Sequence, residues 1–211
     1  RLMDAARRRP LLSALAVTHG PNKGALTCDI HPDAKAHYER LGLEHSLLYM
    51  FAVYTGLRRG EIRAVRVKHL TLDGQRPRVE LPGDLTKNTE TASVPLAPAL
   101  VSALKEWIKT TGKTGEEPLF HMSRDIVRVF RADLKAAGIP YKDAAGRQLD
   151  FHALRHTCCT WMAMAKVGQR AAQKHMRHKT AALTSQIYTD VSKLDEAETL
   201  AAFPPAKDRA G

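Results

Sequence analysis

Between residues 33 and 54 the apolar side chains Leu41, Leu43, Leu47, Leu48, Phe51 and Ala52 recur at helical spacing, which predicts one long helix closed by Gly56. Residues 2–19 read as a helix broken at Pro10, whose ring has no N–H to give back to the preceding turn. Gly20 to Gly24 read as a turn-rich connection. The period then changes. Residues 65–72 alternate, Asp73-Gly74 marks a turn, 78–81 alternate again and 92–96 return after a polar loop, the signature of a small antiparallel sheet. Helical spacing resumes at 98–110, 123–137 with Gly138 as stop, 151–165, 169–176, 181–188 and 193–202, with 139–148 left as a loop or hairpin. The expected fold class is therefore mainly α with a small antiparallel β-sheet (α+β), forming one domain over residues 1–203 with a short tail, 204–211. Trp161, Met162 and Met164 read as core packing.

Composition agrees with a folded domain. Hydrophobic residues are 44% and charged residues 26% of the 211, which excludes wholesale disorder and leaves enough chain to bury a core. No apolar run approaches the roughly 18 residues of a membrane span, so no membrane partner is expected. Three cysteines, Cys28, Cys158 and Cys159, give no disulfide framework and fit a reducing compartment. A chain that opens on Arg1 rather than Met is expected to be the later part of a longer protein.

Charge changes the picture more. Thirty-three basic against 22 acidic residues leave +11 at pH 7, a surplus that favours polyanionic partners, nucleic acid first. No Asp or Glu lies between Asp150 and Asp190, while Arg155, Lys166, Arg170, Lys174, Arg177 and Lys179 do, with His152, His156, His175 and His178. A solvated helix would interleave Glu with such a run. Its absence points to a surface that tracks phosphates, with Lys166, Arg170 and Lys174 stacked every four residues.

Three segments carry candidate chemistry. In Thr55-Gly56-Leu57-Arg58-Arg59-Gly60-Glu61 a glycine turn delivers an arginine at the start of a helix, with Glu61 three positions on to pair with it. In His152-Ala153-Leu154-Arg155-His156, His152 and Arg155 lie three residues apart on one helical face, so that an imidazole and a guanidinium can converge on one anion. The third runs from His178 to Tyr188. Each alone has a bland reading: a helix junction, two surface neighbours, a half-buried tyrosine.

Taken together and in this order, these segments resemble the catalytic domain of the tyrosine recombinases, the phage integrase family, over residues 2–203. The resemblance implies that Arg58 is the first catalytic arginine and Glu61 its supporting acid. It makes Lys87, in Thr86-Lys87-Asn88, the hairpin lysine and general acid, and His152 and Arg155 the His-x-x-Arg pair. His178 becomes the second histidine and Tyr188 the nucleophile. One departure is visible: Arg177 stands where the family has a glycine, so the turn there either differs or is met by a non-glycine residue.

The resemblance further implies a site-specific recombinase that cleaves and rejoins double-stranded DNA through a 3′-phosphotyrosine, with no metal, ATP or other cofactor. The implied setting is a homo-oligomer, a tetramer on paired sites, with accessory DNA-bending proteins among its partners, at the nucleoid in the cytoplasm. A family-like N-terminal core-binding domain is expected to be absent from this chain. Arg59, Lys166, Arg170, Lys174, Arg177 and Lys179 are the expected DNA contacts, and the segment 193–203 is expected to dock on a neighbouring protomer.

The chemistry suits these residues. A phenol, with a free pKa near 10, is far easier to deprotonate than an aliphatic hydroxyl. Arginine forks match phosphate oxygens and keep their charge. A type IB topoisomerase shares the chemistry, and a DNA-binding protein that kept the fold without activity is the alternative from another class. A two-metal nuclease would need clustered carboxylates, which the acid-free stretch cannot supply. His152, His156, Cys158 and Cys159 lack the second ligand pair of a zinc site.

Overall fold

The computed structural model describes residues 1–27, 29–86, 89–144 and 146–188. They fall into two compact units, divided between Cys158 and Cys159, each described by itself.

The first unit is organised by α2 (Pro32–Thr55), in which Leu47, Leu48, Tyr49, Phe51, Ala52 and Val53 are all buried. The later half of the helix, buried on every side, belongs at the centre of its unit, while residues 32–41 are exposed or half-buried. Gly56 closes it in the left-handed conformation, φ 60° and ψ 16°, its N–H bonded to the Ala52 carbonyl at 3.0 Å, as the sequence predicts. Helix α1 (Leu2–Leu15) packs on α2 at Gly42, where a Cβ would stand 1.9 Å from the Arg7 carbonyl oxygen. The expected break at Pro10 does not occur. Pro10 is buried inside an unbroken α1, and the backbone bond it forfeits is offset by tertiary contacts, among them the pairing of Arg9 with the buried carboxylate of Asp133. The same carboxylate accepts from the Tyr49 hydroxyl at 2.6 Å. Burial and the Asp133 charge drive the Tyr49 phenol far above its ordinary range, so it stays a donor.

Three short strands form an antiparallel sheet in the order β1 (Leu70–Thr71), β2 (Arg78–Leu81), β3 (Ala92–Pro95), in a register that pairs Leu70 with Val79 and Leu81 with Ala92. Val79, Leu81, Ala92 and Val94 face the core, and Arg78, Glu80 and Ser93 alternate outward. The first strand is much shorter than the alternation over 65–72 predicts. Val67 N–H bonds Glu117 O at 3.1 Å, Lys68 N–H bonds Gly115 O at 2.9 Å and Leu119 N–H bonds Val65 O at 3.0 Å, so a neighbouring loop takes the backbone groups that a strand would use.

Helix α3 (Arg59–Ala64) links α2 to this sheet, and α4 (Pro98–Thr111) and α5 (Ile126–Ala136) follow it. Helix α5 starts three residues later than its apolar period suggests, because Asp125 caps it by accepting from Arg128 N–H at 3.3 Å. Between 139 and 148, read as a loop or a hairpin, Lys142 and Gln148 form an antiparallel bridge. Tyr49, Phe130 and Phe151 meet edge to face, with centroids 5.3, 5.8 and 6.1 Å apart. That cluster fixes the chain immediately before His152, at the entry to α6 (Ala153–Met164).

The second unit begins within α6 and continues through α7 (Gln169–Met176) and α8 (Ala182–Tyr188), which pack on each other. Trp161 and Met164, expected in the core, are 48% and 66% exposed. Helix α6 carries too few polar residues for its sequence to mark which face is inside. Among the described residues no helix is long and apolar enough to cross a membrane. The segment 193–203 and the tail 204–211 lie outside the described residues.

Candidate active site

The site of the first unit is built around the end of α2. Thr55, buried, donates its hydroxyl to Phe51 O at 2.7 Å, and its oxygen accepts from Leu57 N–H at 3.3 Å. Gly56 turns the chain in the left-handed region, and Leu57 is buried in the core cluster. Arg58 therefore emerges as the N-cap residue of α3 with its direction already set.

Glu61 completes the arrangement. One carboxylate oxygen accepts from Arg58 N–H at 2.7 Å and the other from Arg58 Nη1 at 3.0 Å, with the Glu61 side chain only 2% exposed. A carboxylate so buried needs a fixed cation, and its charge also suits the first turn of a helix. Arg155, 4% exposed in the first turn of α6, donates Nη1 to the Gly56 carbonyl. Both arginines expected from sequence are thus fastened to one turn, Arg155 to its carbonyl and Arg58 two residues further on.

His152 stands at the surface beside them, its ring edge-on to His156 with centroids 5.1 Å apart. The burial it does have, followed by the nearby charges of His156, Arg155 and Arg58, holds its pKa below the ordinary 6.5 against the opposing pull of Asp150. It is therefore neutral at pH 7, with a lone pair available to take a proton. That both guanidinium charges are felt at this ring locates Arg58, Arg155 and His152 in one neighbourhood. Arg155 turns inward and His152 outward, so the pair divides the work rather than presenting one shared face.

Lys87 lies outside the described residues, but the neck of its loop does not. The buried Thr86 hydroxyl lies 3.0 Å from Gly83 O and 2.8 Å from Glu90 O, closing the loop at its base.

In the second unit, α7 ends on Arg177 at φ 51° and ψ 45°, its N–H bonded back to the carbonyls of Gln173 and Lys174. The left-handed turn before the histidine is made after all, by an arginine in the conformation that a glycine adopts without strain. His178 follows, its N–H on Gln173 O at 3.1 Å and its carbonyl accepting from Gln173 Nε2 at 3.3 Å. Its Nδ1 lies 2.9 Å from Thr184 Oγ1. Tyr188 is the last residue of α8, and its side chain lies outside what is described.

Of the expected DNA contacts, Arg59, Lys166, Arg170, Lys174 and Lys179 are exposed and Arg177 is half-buried. Lys166 does not stack with Arg170 and Lys174. It occupies a left-handed turn at φ 55° after α6, and only the other two share α7. Among the described residues no group of three or more His, Cys, Asp or Glu side chains is arranged to hold a metal ion. Sequence reasoning missed Thr55 and Thr184; the available signal was a threonine directly before a helix-ending glycine and another in the first turn of the helix that carries Tyr188.

Comparison with known proteins bears on this arrangement. The phage integrase family matches residues 33–194. The tyrosine recombinase XerC of Pelobacter propionicus is 31% identical over 157 residues, covering 73% of this chain and 50% of that protein. A XerC of Methylobacterium sp. is 32% identical over 165 residues, covering 74% of this chain, so the chain spans about half the length of these relatives. In fold it is similar to the XerH site-specific recombinase bound to a palindromic difH substrate, with TM-score 0.58 and 16% identity over 95% of this chain and 51% of that one. It is also similar to the catalytic domain of bacteriophage HP1 integrase, with TM-score 0.52 and 17% identity over 99% of this chain and 96% of that domain.

Proposed function

The chain belongs to the phage integrase family, and from that premise we propose that it is a site-specific DNA recombinase that cuts and rejoins strands through a 3′-phosphotyrosine on Tyr188, without metal or ATP. The observation that carries the reading is the double fastening of Arg58 and Arg155 to the Gly56 turn, with neutral His152 beside them. Donors held in advance where charge develops are the largest single source of stabilisation for such a transition state.

In the forward step the Tyr188 oxygen attacks the phosphorus, the O–P bond forms and the bond to the 5′ oxygen breaks. His152 takes the phenolic proton, Lys87 gives one to the departing 5′ oxygen, and Arg58, Arg155 and His178 hold the non-bridging oxygens. Rejoining is the reverse with a new 5′ hydroxyl, so the phosphodiester energy is conserved and no high-energy cofactor is consumed. Residues 1–203 serve as the catalytic domain. Double-stranded DNA is the partner, contacted along the backbone by Arg59, Lys166, Arg170, Lys174, Arg177 and Lys179, with a homotetramer on paired sites, accessory DNA-bending proteins and a nucleoid location completing the reading.

Trapping on nicked duplexes drawn from a randomised pool tests it. The wild-type chain is expected to accumulate a covalent adduct mapping to Tyr188, in EDTA and without nucleotide, and Tyr188→Phe to abolish the adduct while leaving DNA affinity within about threefold. An adduct that survives in Tyr188→Phe and maps to another residue would falsify the assignment.

A further inference from the structure

We propose that Thr184 is the positioning residue for His178: its hydroxyl donates to Nδ1 and thereby fixes the imidazole as the neutral tautomer with its proton on Nε2. The proposal deepens the reading of His178 as a phosphate donor and rests on it.

The argument starts from the hydroxyl. Thr184 is 0% exposed, so water cannot serve its O–H group. Among the described residues the partner of Oγ1 is His178 Nδ1, at 2.9 Å. A helical threonine otherwise returns its proton to the carbonyl four residues earlier; here that residue is Thr180, which precedes the first turn of α8, and no such bond forms among the described residues. A hydroxyl has one proton to give, and a buried donor left without an acceptor is costly.

If Nδ1 carried a proton, it would point that proton at Oγ1 and strand the hydroxyl's own. The arrangement therefore favours Nδ1 as acceptor, which puts the ring proton on Nε2, across the ring from Thr184. The root of the side chain is also held, since the His178 N–H and carbonyl both bond to Gln173. A β-branched residue with a stiff χ1 is a suitable fixed post for such a contact. His178 would then offer a donor to a phosphate oxygen without adding a further positive charge to a stretch that has no acidic residue from 151 to 189.

The test uses the full chain with ¹⁵N-labelled histidine rings and a long-range proton–nitrogen correlation at pH 7.5. The expected spectrum assigns His178 as the Nε2–H tautomer in the wild type and in Thr184→Ser, and as a tautomer mixture in Thr184→Val. On a nicked duplex recovered from a randomised pool by adduct formation with the wild type, Thr184→Val is expected to slow single-turnover cleavage about fivefold to tenfold, as one hydrogen bond is worth, with Thr184→Ser restoring it. A wild-type spectrum with the proton on Nδ1, which needs no variant to fold, overturns the proposal, and so does a Thr184→Val spectrum unchanged from wild type. His178→Ala separates the two layers: normal cleavage there removes His178 from the reaction, while the spectrum still decides what Thr184 does to its ring.

Discussion

In the function proposed above Arg155 and His178 are both phosphate donors, yet they are held in opposite ways. Arg155 grows from a helix whose entry is fixed by the Tyr49, Phe130 and Phe151 cluster, is almost wholly buried, and bonds a main-chain carbonyl. His178 is half-buried after an eight-residue helix, and the partner at its Nδ1 is a side chain on a seven-residue one. In α7 the buried residues are Ala172 and Met176, and Thr184 is buried in α8. A guanidinium does not change its protonation during the reaction, so it can be built into the core once and left there. In the proposed reaction Tyr188 must instead approach the phosphate, bond to it and leave.

The largest effect expected from this contrast is on the arginines. Arg58→Ala and Arg155→Ala should each lower single-turnover cleavage by about 10²- to 10³-fold. Arg155→Lys should recover little, since an ammonium cannot hold the Gly56 carbonyl and present a fork at once. Near-normal cleavage in any of these variants would show that the buried clamp is misassigned.

The next expectation concerns one of the first unit's buried histidines. His45 lies under burial, Asp133, Arg9 and Glu44, with burial the dominant influence, and its pKa is held below 6.5. His152 is shifted the same way. Below pH 6.5 the unfolded chain therefore takes up protons that the folded chain declines, so this part of the stability is complete above 6.5 and is lost as pH falls toward the folded values. Urea unfolding at pH 7.5 and 5.5 should show a loss on acidification, smaller in His45→Gln. An equal loss in that variant would rule His45 out as a source.

The smallest effect belongs to the second unit. Arg177→Gly removes the cost of an L-residue in the left-handed turn and should raise stability by about 1 kcal/mol, measured by chemical denaturation. A drop instead would mean that the arginine side chain contributes more than the turn costs.

These contrasts also separate what was legible in the sequence. Helix α2 and its glycine cap were readable, because apolar spacing and a left-handed terminator are both local signals. The set Arg58, His152, Arg155, His178 and Tyr188 came instead from the family resemblance, because each segment taken alone has a bland reading. The unbroken α1 was not legible, since Pro10 is tolerated through the pairing of its neighbour Arg9 with Asp133, 124 positions away on α5. Residues 66–69 were misread for the same kind of reason: their partners at 115–118 are distant in sequence, and alternation cannot tell a sheet neighbour from a loop. Arg177 is the reverse case, a residue whose type argued against a turn that its backbone nevertheless makes.

The Gly56 carbonyl has one more consequence. Because Arg155 grips that oxygen while Arg58 follows two residues later, the span between the two anchorages is set by covalent geometry and cannot exceed about 7 Å. The motif acts as a ruler of fixed length. Exchanging the exposed residues Arg59 and Gly60 leaves the ruler intact, whereas inserting a single residue between Gly56 and Arg58 lengthens it by a full peptide unit and puts the two guanidinium groups out of step.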